Sequence, residues 1–305
     1  MSRNTRVGWG ALPKALWSAL QWRVMLIFIV LMALPTFIAA WPVSDALGAL
    51  LNHSVASSAL AQHFNALLMG DAIYQLIQHA GATIGGARTA GLVVTLLLSP
   101  FLAGVVVTAV RASHPAGLGE LMHGGLAQYW RMLRVALWSL IPYAIAVIVG
   151  VVVFGMASTH ADSAILQSSA ERRYHVAWVV TVVLLVVAHA IAESSRAQVA
   201  ADESLRSATR AFGRGIAMLA RRPLAAFGLY LGTSIIGYVL AGLVVMWRIH
   251  VTAAGAGGML GAIVLTQLIV IVLAWQKLAR IGALAKVAQA TSPRGRSSVA
   301  ALATA

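Results

Sequence analysis

Six long apolar stretches constrain this chain more than any other feature of its sequence. A helix rises about 1.5 Å per residue, so about 20 apolar residues cross the roughly 30 Å hydrocarbon core of a bilayer. Valine-rich runs can also be buried strands, but strands are far shorter than these stretches. The pattern therefore predicts an all-α, polytopic membrane protein with about six transmembrane helices. The predicted spans are residues 24–41, 91–110, 135–157, 176–192, 226–247 and 258–275.

The composition supports a membrane protein and excludes several classes of function. Hydrophobic residues make up 60% of the chain and charged residues only 10%, whereas a soluble domain is about a quarter charged. The net charge of +14 would suggest nucleic acid in a soluble protein, but lysine and arginine in a membrane protein orient the chain and contact anionic headgroups. We therefore expect a bilayer with anionic headgroups as partner and no nucleic acid. The absence of cysteine excludes disulfides, thiolate metal sites and cysteine nucleophiles.

The basic residues predict the orientation of the chain. Of the 22 lysines and arginines, all but Arg88, Arg172, Arg173 and Arg248 fall in the N-terminal segment, the second and fourth loops and the C-terminal segment. The positive-inside rule then places both termini in the cytoplasm of a bacterial inner membrane. A cleaved signal peptide is the alternative for the first apolar run. Its long N-terminal region and its end at Trp41-Pro42 favour an uncleaved span.

Three basic amphipathic segments precede pairs of spans, so the chain reads as three similar units. They are ordinary juxtamembrane anchors or, alternatively, a surface that binds a partner. The expected organisation is a cytoplasmic amphipathic segment (1–23), a transmembrane domain (24–287) with an external loop of two or three short helices (42–90) and cytoplasmic basic helices (118–134 and 204–222), and a disordered cytoplasmic tail (288–305). The expected lipid-headgroup contacts are Arg131, Arg134, Arg210, Arg214, Arg221 and Arg222.

One ionisable pair lies at the end of the fourth span. His189 and Glu193 are four residues apart and share a helix face. Ionisable groups within a span are costly and often functional. The simpler interpretation is a local Glu193–Arg196 ion pair where the helix leaves the membrane, and the functional alternative is a proton-coupled or polar contact inside the bundle.

Prolines interrupt the first three spans at Pro35, Pro100 and Pro142. Each removes a backbone hydrogen bond and tends to kink its helix, which is common in membranes. The alternative is a set of broken helices around a midplane substrate site, for which Tyr143 and Gln267 are the best polar candidates.

No pattern of residues indicates a metal, cofactor or catalytic site. The nine histidines never take the HxxxH or HExxH spacing that puts two ligands on one helical face. We therefore predict no catalytic residue, no cofactor and no metal site.

Two stretches resemble uncharacterised six-span bacterial membrane proteins. Residues 99–134 contain Pro-Phe-x-x-Gly from Pro100 and end in Trp-Arg-x-x-Arg at Arg134, and residues 193–223 end in Arg-Arg-Pro at Pro223. Those proteins are similar to the membrane domain of some glycerophosphodiester phosphodiesterases. The resemblance covers about a third of the chain and implies the topology only, since no phosphodiesterase domain is present.

Three functions are compatible with these features. The leading hypothesis is a non-enzymatic scaffold or accessory subunit that binds a membrane-protein partner. The second is a transporter or permease-like subunit for a lipid or apolar solute, which an internal polar cavity near the three prolines and Gln267 would favour. The third is an intramembrane enzyme that uses His189 and Glu193, which would then face a water-accessible cleft.

Overall fold

The computed structural model describes residues 11–51, 66–161, 167–251 and 255–291, and all its regular structure in these ranges is helical. The eight helices are α1 (Ala11–Ser18), α2 (Trp22–Leu51), α3 (Ala66–Arg111), α4 (Leu118–Ala161), α5 (Gln167–Ala201), α6 (Ala208–Arg221), α7 (Pro223–His250) and α8 (Gly255–Thr291). The prediction of an all-α fold is confirmed.

Six of these helices are long and apolar enough to cross a membrane, namely α2, α3, α4, α5, α7 and α8. Each contains one predicted span. Each of these helices carries large apolar side chains that are more than half exposed, which is costly in water and favourable in lipid. One example from each helix is Val30, Leu97, Ile148, Val179, Val239 and Val264. The chain is therefore a multi-pass membrane protein with six candidate spans.

Two or three short helices are expected in residues 42–90, of which the structure describes 42–51 and 66–90; both parts belong to the long helices of the flanking spans. Helix α2 continues through Pro42 to Leu51, and α3 begins at Ala66. Between Ala66 and Pro100 no proline interrupts the helical backbone, so the first part of α3 continues directly into its span. His53 and His63 lie outside the described residues.

The amphipathic segments differ in how they join the spans. Residues 118–134 form the first part of α4, because no helix-breaking residue separates them from the span. In contrast, α6 is a separate helix. The Ser207 side chain caps its first turn by accepting a hydrogen bond from the backbone N–H of Arg210. Pro223, which suits the first turn of a helix, begins α7.

The chain divides into two compact units, each described here by itself. Unit 1 comprises residues 1–19, 103–234 and 277–305, and unit 2 comprises residues 20–102 and 235–276. Unit 1 has a core of small and aliphatic side chains from α1, α5, α6, α7 and α8. Its members include Ala15, Ala190, Ala197, Met218, Leu219, Ala226, Leu229, Ala283, Leu284 and Val287.

Glycines let helices approach closely in both units. A Cβ atom on Gly104 would lie 2.8 Å from the carbonyl oxygen of Gly125, and one on Gly215 would lie 2.8 Å from the backbone nitrogen of Ser195. In unit 2, a Cβ on Gly91 would lie 3.0 Å from the carbonyl oxygen of Pro35. Small residues at such contacts are the usual means of packing membrane helices.

Candidate functional site: a buried charged cluster

A fully buried carboxylate lies near the end of α5. The Glu193 side chain has no exposed surface. Its Oε1 accepts a hydrogen bond from Nη1 of Arg196, one turn further along α5. Its Oε2 accepts a hydrogen bond of 3.1 Å from Nε of Arg280 on α8. Both carboxyl oxygens therefore have arginine partners, which a buried carboxylate needs because its desolvation costs several kcal/mol.

Arg280 links three helices of unit 1. It is only 5% exposed. Besides Glu193 on α5, it donates from Nη1 to the Ser234 hydroxyl on α7 at 3.2 Å. Its guanidinium carbon also lies 5.6 Å from the centroid of the Tyr230 ring, within the range of a cation–π interaction. One side chain of α8 therefore contacts both α5 and α7.

A second polar contact lies one turn earlier on α5. Nδ1 of His189 lies 2.8 Å from the Tyr143 hydroxyl on α4, and the His189 and Tyr230 ring centroids are 5.8 Å apart. Nε2 of His189 is buried without a hydrogen-bond partner among the described atoms. Tyr230 is thus close to both His189 and Arg280.

The charges of this cluster do not balance. Lys277, one turn before Arg280 on α8, is within electrostatic range of Glu193, Arg196 and Arg280. Three basic side chains therefore surround one acidic side chain. Within the described ranges, no group of three or more histidine, aspartate or glutamate side chains could hold a metal ion. The side chains of this cluster therefore provide positive charges and hydrogen-bonding groups.

The structure places the predicted pair together but gives the two residues different direct partners. Glu193 binds Arg196, the expected local contact, and also Arg280. The sequence does not single out Arg280, because it follows the last apolar run and stands among the basic residues of the C-terminal segment. Arg280 lies three residues after Lys277, so both residues are on one face of α8. This spacing is the one sequence feature that could have indicated a charged face on that helix.

The other predicted residues lie as follows. The three prolines lie inside helices, Pro35 in α2, Pro100 in α3 and Pro142 in α4. Each helix continues through its proline. Gln267 on α8 has a buried Oε1 without a hydrogen-bond partner among the described atoms. Of the predicted headgroup contacts, Arg131 and Arg222 are half-buried, whereas the exposed ones are Arg134, Arg210, Arg214 and Arg221.

Comparison with known proteins identified no relative. No family model matches the chain, and neither a curated protein nor a solved structure does. The resemblance to six-span bacterial proteins therefore rests on sequence motifs, and the six candidate spans are the part of it that the structure supports.

Proposed function

We propose that the protein is a non-enzymatic scaffold or accessory subunit of a bacterial inner membrane. It would hold a membrane-protein partner and have both termini in the cytoplasm. The observation that carries this proposal is that Glu193, the buried acid, has both oxygens occupied by arginines of the same chain. A carboxylate held in this way joins helices α5 and α8 and is not presented to a substrate.

The surface of α6 is the proposed contact for the partner. One side of this helix packs inward through residues such as Ala211, Gly215 and Met218. The exposed side chains of Arg210, Arg214 and Arg221 define what we call the α6 basic face. Arginine is over-represented at protein interfaces because its planar fork can bind carboxylates through two parallel hydrogen bonds. An acidic surface on the partner would complement this face.

Charge reversal on the α6 basic face tests the proposal. Arg210→Glu and Arg221→Glu, made together, change the surface charge at two residues without removing the Arg214 ion pair with Asp202. Arg172→Glu and Arg173→Glu, also exposed, provide a control with the same change of charge. Each tagged full-length chain is extracted at endogenous expression into native lipid discs, and the copurifying molecules are identified by mass spectrometry.

The scaffold proposal predicts a stoichiometric protein that copurifies with the wild type and with the control. This protein should be lost from the α6 variant. Copurification of a single lipid or small molecule, with no protein at stoichiometric level, would contradict it. So would a purified protein that alone moved a solute or turned over a substrate.

Transport of a lipid or apolar solute is the second candidate, favoured by the Tyr143–His189 contact inside unit 1. The unpartnered Nε2 of His189 is a polar atom that a passing hydroxyl or headgroup could bind. Uptake by proteoliposomes that contain only this protein would support transport, and loss of that uptake in Tyr143→Phe would place the route at this pair. Uptake equal to that of empty liposomes would contradict it.

A further inference from the structure

A second group of basic residues lies at the end of α3, on α4 and just before α6. Its members are Arg111 at the end of α3, Arg131 and Arg134 on α4, and Arg206 just before α6, which we call the arginine cluster. Arg131 is within electrostatic range of Arg134 and Arg206, and Arg111 is within range of Arg131. All four residues belong to unit 1.

Two guanidinium groups of the arginine cluster have buried donors that lack acceptors. Nε of Arg111 and Nη1 of Arg131 are both buried without a hydrogen-bond partner among the described atoms. The hydrogen bonds that the cluster makes within the described part of the chain are to backbone oxygens: Arg111 donates from Nη2 to the Val199 carbonyl, and Arg134 donates from Nε to the Trp130 carbonyl at 3.2 Å. A buried charged donor without an acceptor is costly, so these atoms point to a missing acceptor.

Nearby acidic residues do not supply that acceptor. Asp202 and Glu203 are within electrostatic range of Arg111, but Asp202 accepts hydrogen bonds from Ser204 and Arg214. The ion pairs found among the described residues include none of the four arginines of the cluster. The cluster therefore combines like charges, which repel one another, with unused donors.

We propose that the arginine cluster binds a phosphate group, carried either by an anionic phospholipid or by a free phosphate ester. Phosphate oxygens match the planar fork of the guanidinium group and would accept from the two buried donors. Basic pockets between membrane helices bind lipid headgroups in this way. Arg134 and Arg206 are exposed, so the cluster is open on one side. The inference requires only that the chain sits in a bilayer and is independent of the scaffold proposal.

Native mass spectrometry of the detergent-solubilised full chain tests the site. The probes are phosphatidylglycerol, phosphatidylcholine of matched acyl length, and inorganic phosphate as competitor. The variants are Arg131→Gln, which removes a buried donor, Arg131→Lys, which keeps the charge without the fork, and Arg173→Gln. Arg173 is exposed on α5 and controls for the change in net charge.

A phosphate site predicts that wild type and Arg173→Gln bind phosphatidylglycerol more tightly than phosphatidylcholine. Because a hydrogen bond to a charged group contributes about 1.5–3 kcal/mol, Arg131→Gln should weaken that binding about tenfold or more, and Arg131→Lys by less. Displacement of the lipid by inorganic phosphate would indicate that free phosphate esters also occupy the site. Resistance to displacement would assign it to the lipid headgroup.

Thermal unfolding with and without lipid provides a second measurement, which remains informative if Arg131→Gln lowers the stability of the protein. A ligand that binds only the folded state raises the melting temperature. The wild type should therefore show a rise with phosphatidylglycerol that Arg131→Gln lacks, whatever its own starting temperature. Equal lipid affinity and an equal rise in wild type and Arg131→Gln would overturn the proposal.

Discussion

Two glycines on α6 provide a matched test of how this helix packs. Gly213 and Gly215 are both in the interior of α6, so replacing either by alanine gives the same gain in helix propensity. Their surroundings differ. A Cβ atom on Gly213 would meet nothing within 4 Å, whereas one on Gly215 would lie 2.8 Å from the backbone nitrogen and 3.0 Å from the Cα of Ser195. Because backbone atoms of α5 cannot swing aside, α6 would have to move.

The expected changes in the free energy of unfolding follow from helix propensity and from the close contact with Ser195. Alanine is favoured over glycine in a helix interior by about 1 kcal/mol. Overpacking typically costs about 1–3 kcal/mol. Gly213→Ala should therefore be about 1 kcal/mol more stable than wild type, and Gly215→Ala between unchanged and about 2 kcal/mol less stable. The difference in the free energy of unfolding between the two variants should be about 1–3 kcal/mol.

Unfolding of both variants by a titration of denaturing detergent measures this difference. Circular dichroism follows helix content, and size-exclusion chromatography confirms that each starting protein is monodisperse. The reasoning is refuted if Gly215→Ala is as stable as Gly213→Ala or more stable, since α6 would then not press on Ser195.

Three further predictions concern polar contacts of unit 1. Glu193→Gln should lower the free energy of unfolding by about 3 kcal/mol or more, because it leaves the buried Arg280 and the half-buried Arg196 without a counter-charge; detergent unfolding measures the loss. Tyr143→Phe should cost about 1–3 kcal/mol, because it leaves His189 Nδ1 without its hydroxyl partner; thermal unfolding measures it. The Ser204 hydrogen bond lowers the pKa of Asp202 below its usual range. The contribution of the Asp202 carboxylate to stability should therefore be complete above about pH 4 and lost as the pH falls through the lowered pKa. The Asp202→Asn variant should not show this loss.

Each of these predictions has its own contradicting result. For Glu193 it is wild-type stability of the glutamine variant. For Tyr143 it is an unchanged melting temperature of the phenylalanine variant. For Asp202 it is the same acid dependence with and without the carboxyl group.

The local sequence was sufficient to predict the membrane helices. Each predicted span lies within one long helix because twenty apolar residues specify a crossing without help from the rest of the chain. The helix α6 was predictable for a similar reason, since its apolar residues recur at helical spacing. The length of the helices was not predictable, because residues 66–90 contain glycines but no proline and can continue α3 towards its span.

The contacts of the candidate site depended on tertiary structure. The pair formed by His189 and Glu193 could be proposed because four residues make one helical turn. The contact between Glu193 and Arg280 joins residues that are far apart in sequence, so no local pattern predicts it. The same holds for the arginine cluster, because Arg111 at the end of α3 and Arg206 just before α6 are far apart in sequence.

The number and direction of the membrane crossings are the central claim of this account, and single-cysteine labelling tests them most directly. Because the chain contains no cysteine, each of the variants His114→Cys, Glu203→Cys, Arg172→Cys and Ile249→Cys carries one unique thiol. A membrane-impermeant maleimide is applied to spheroplasts and to inside-out vesicles. Cysteines at 114 and 203 should react only in inside-out vesicles, and cysteines at 172 and 249 only in spheroplasts. Reaction of 114 and 203 from opposite sides, or of 172 and 249 from opposite sides, would contradict six spans, and the reverse pattern would contradict the cytoplasmic termini.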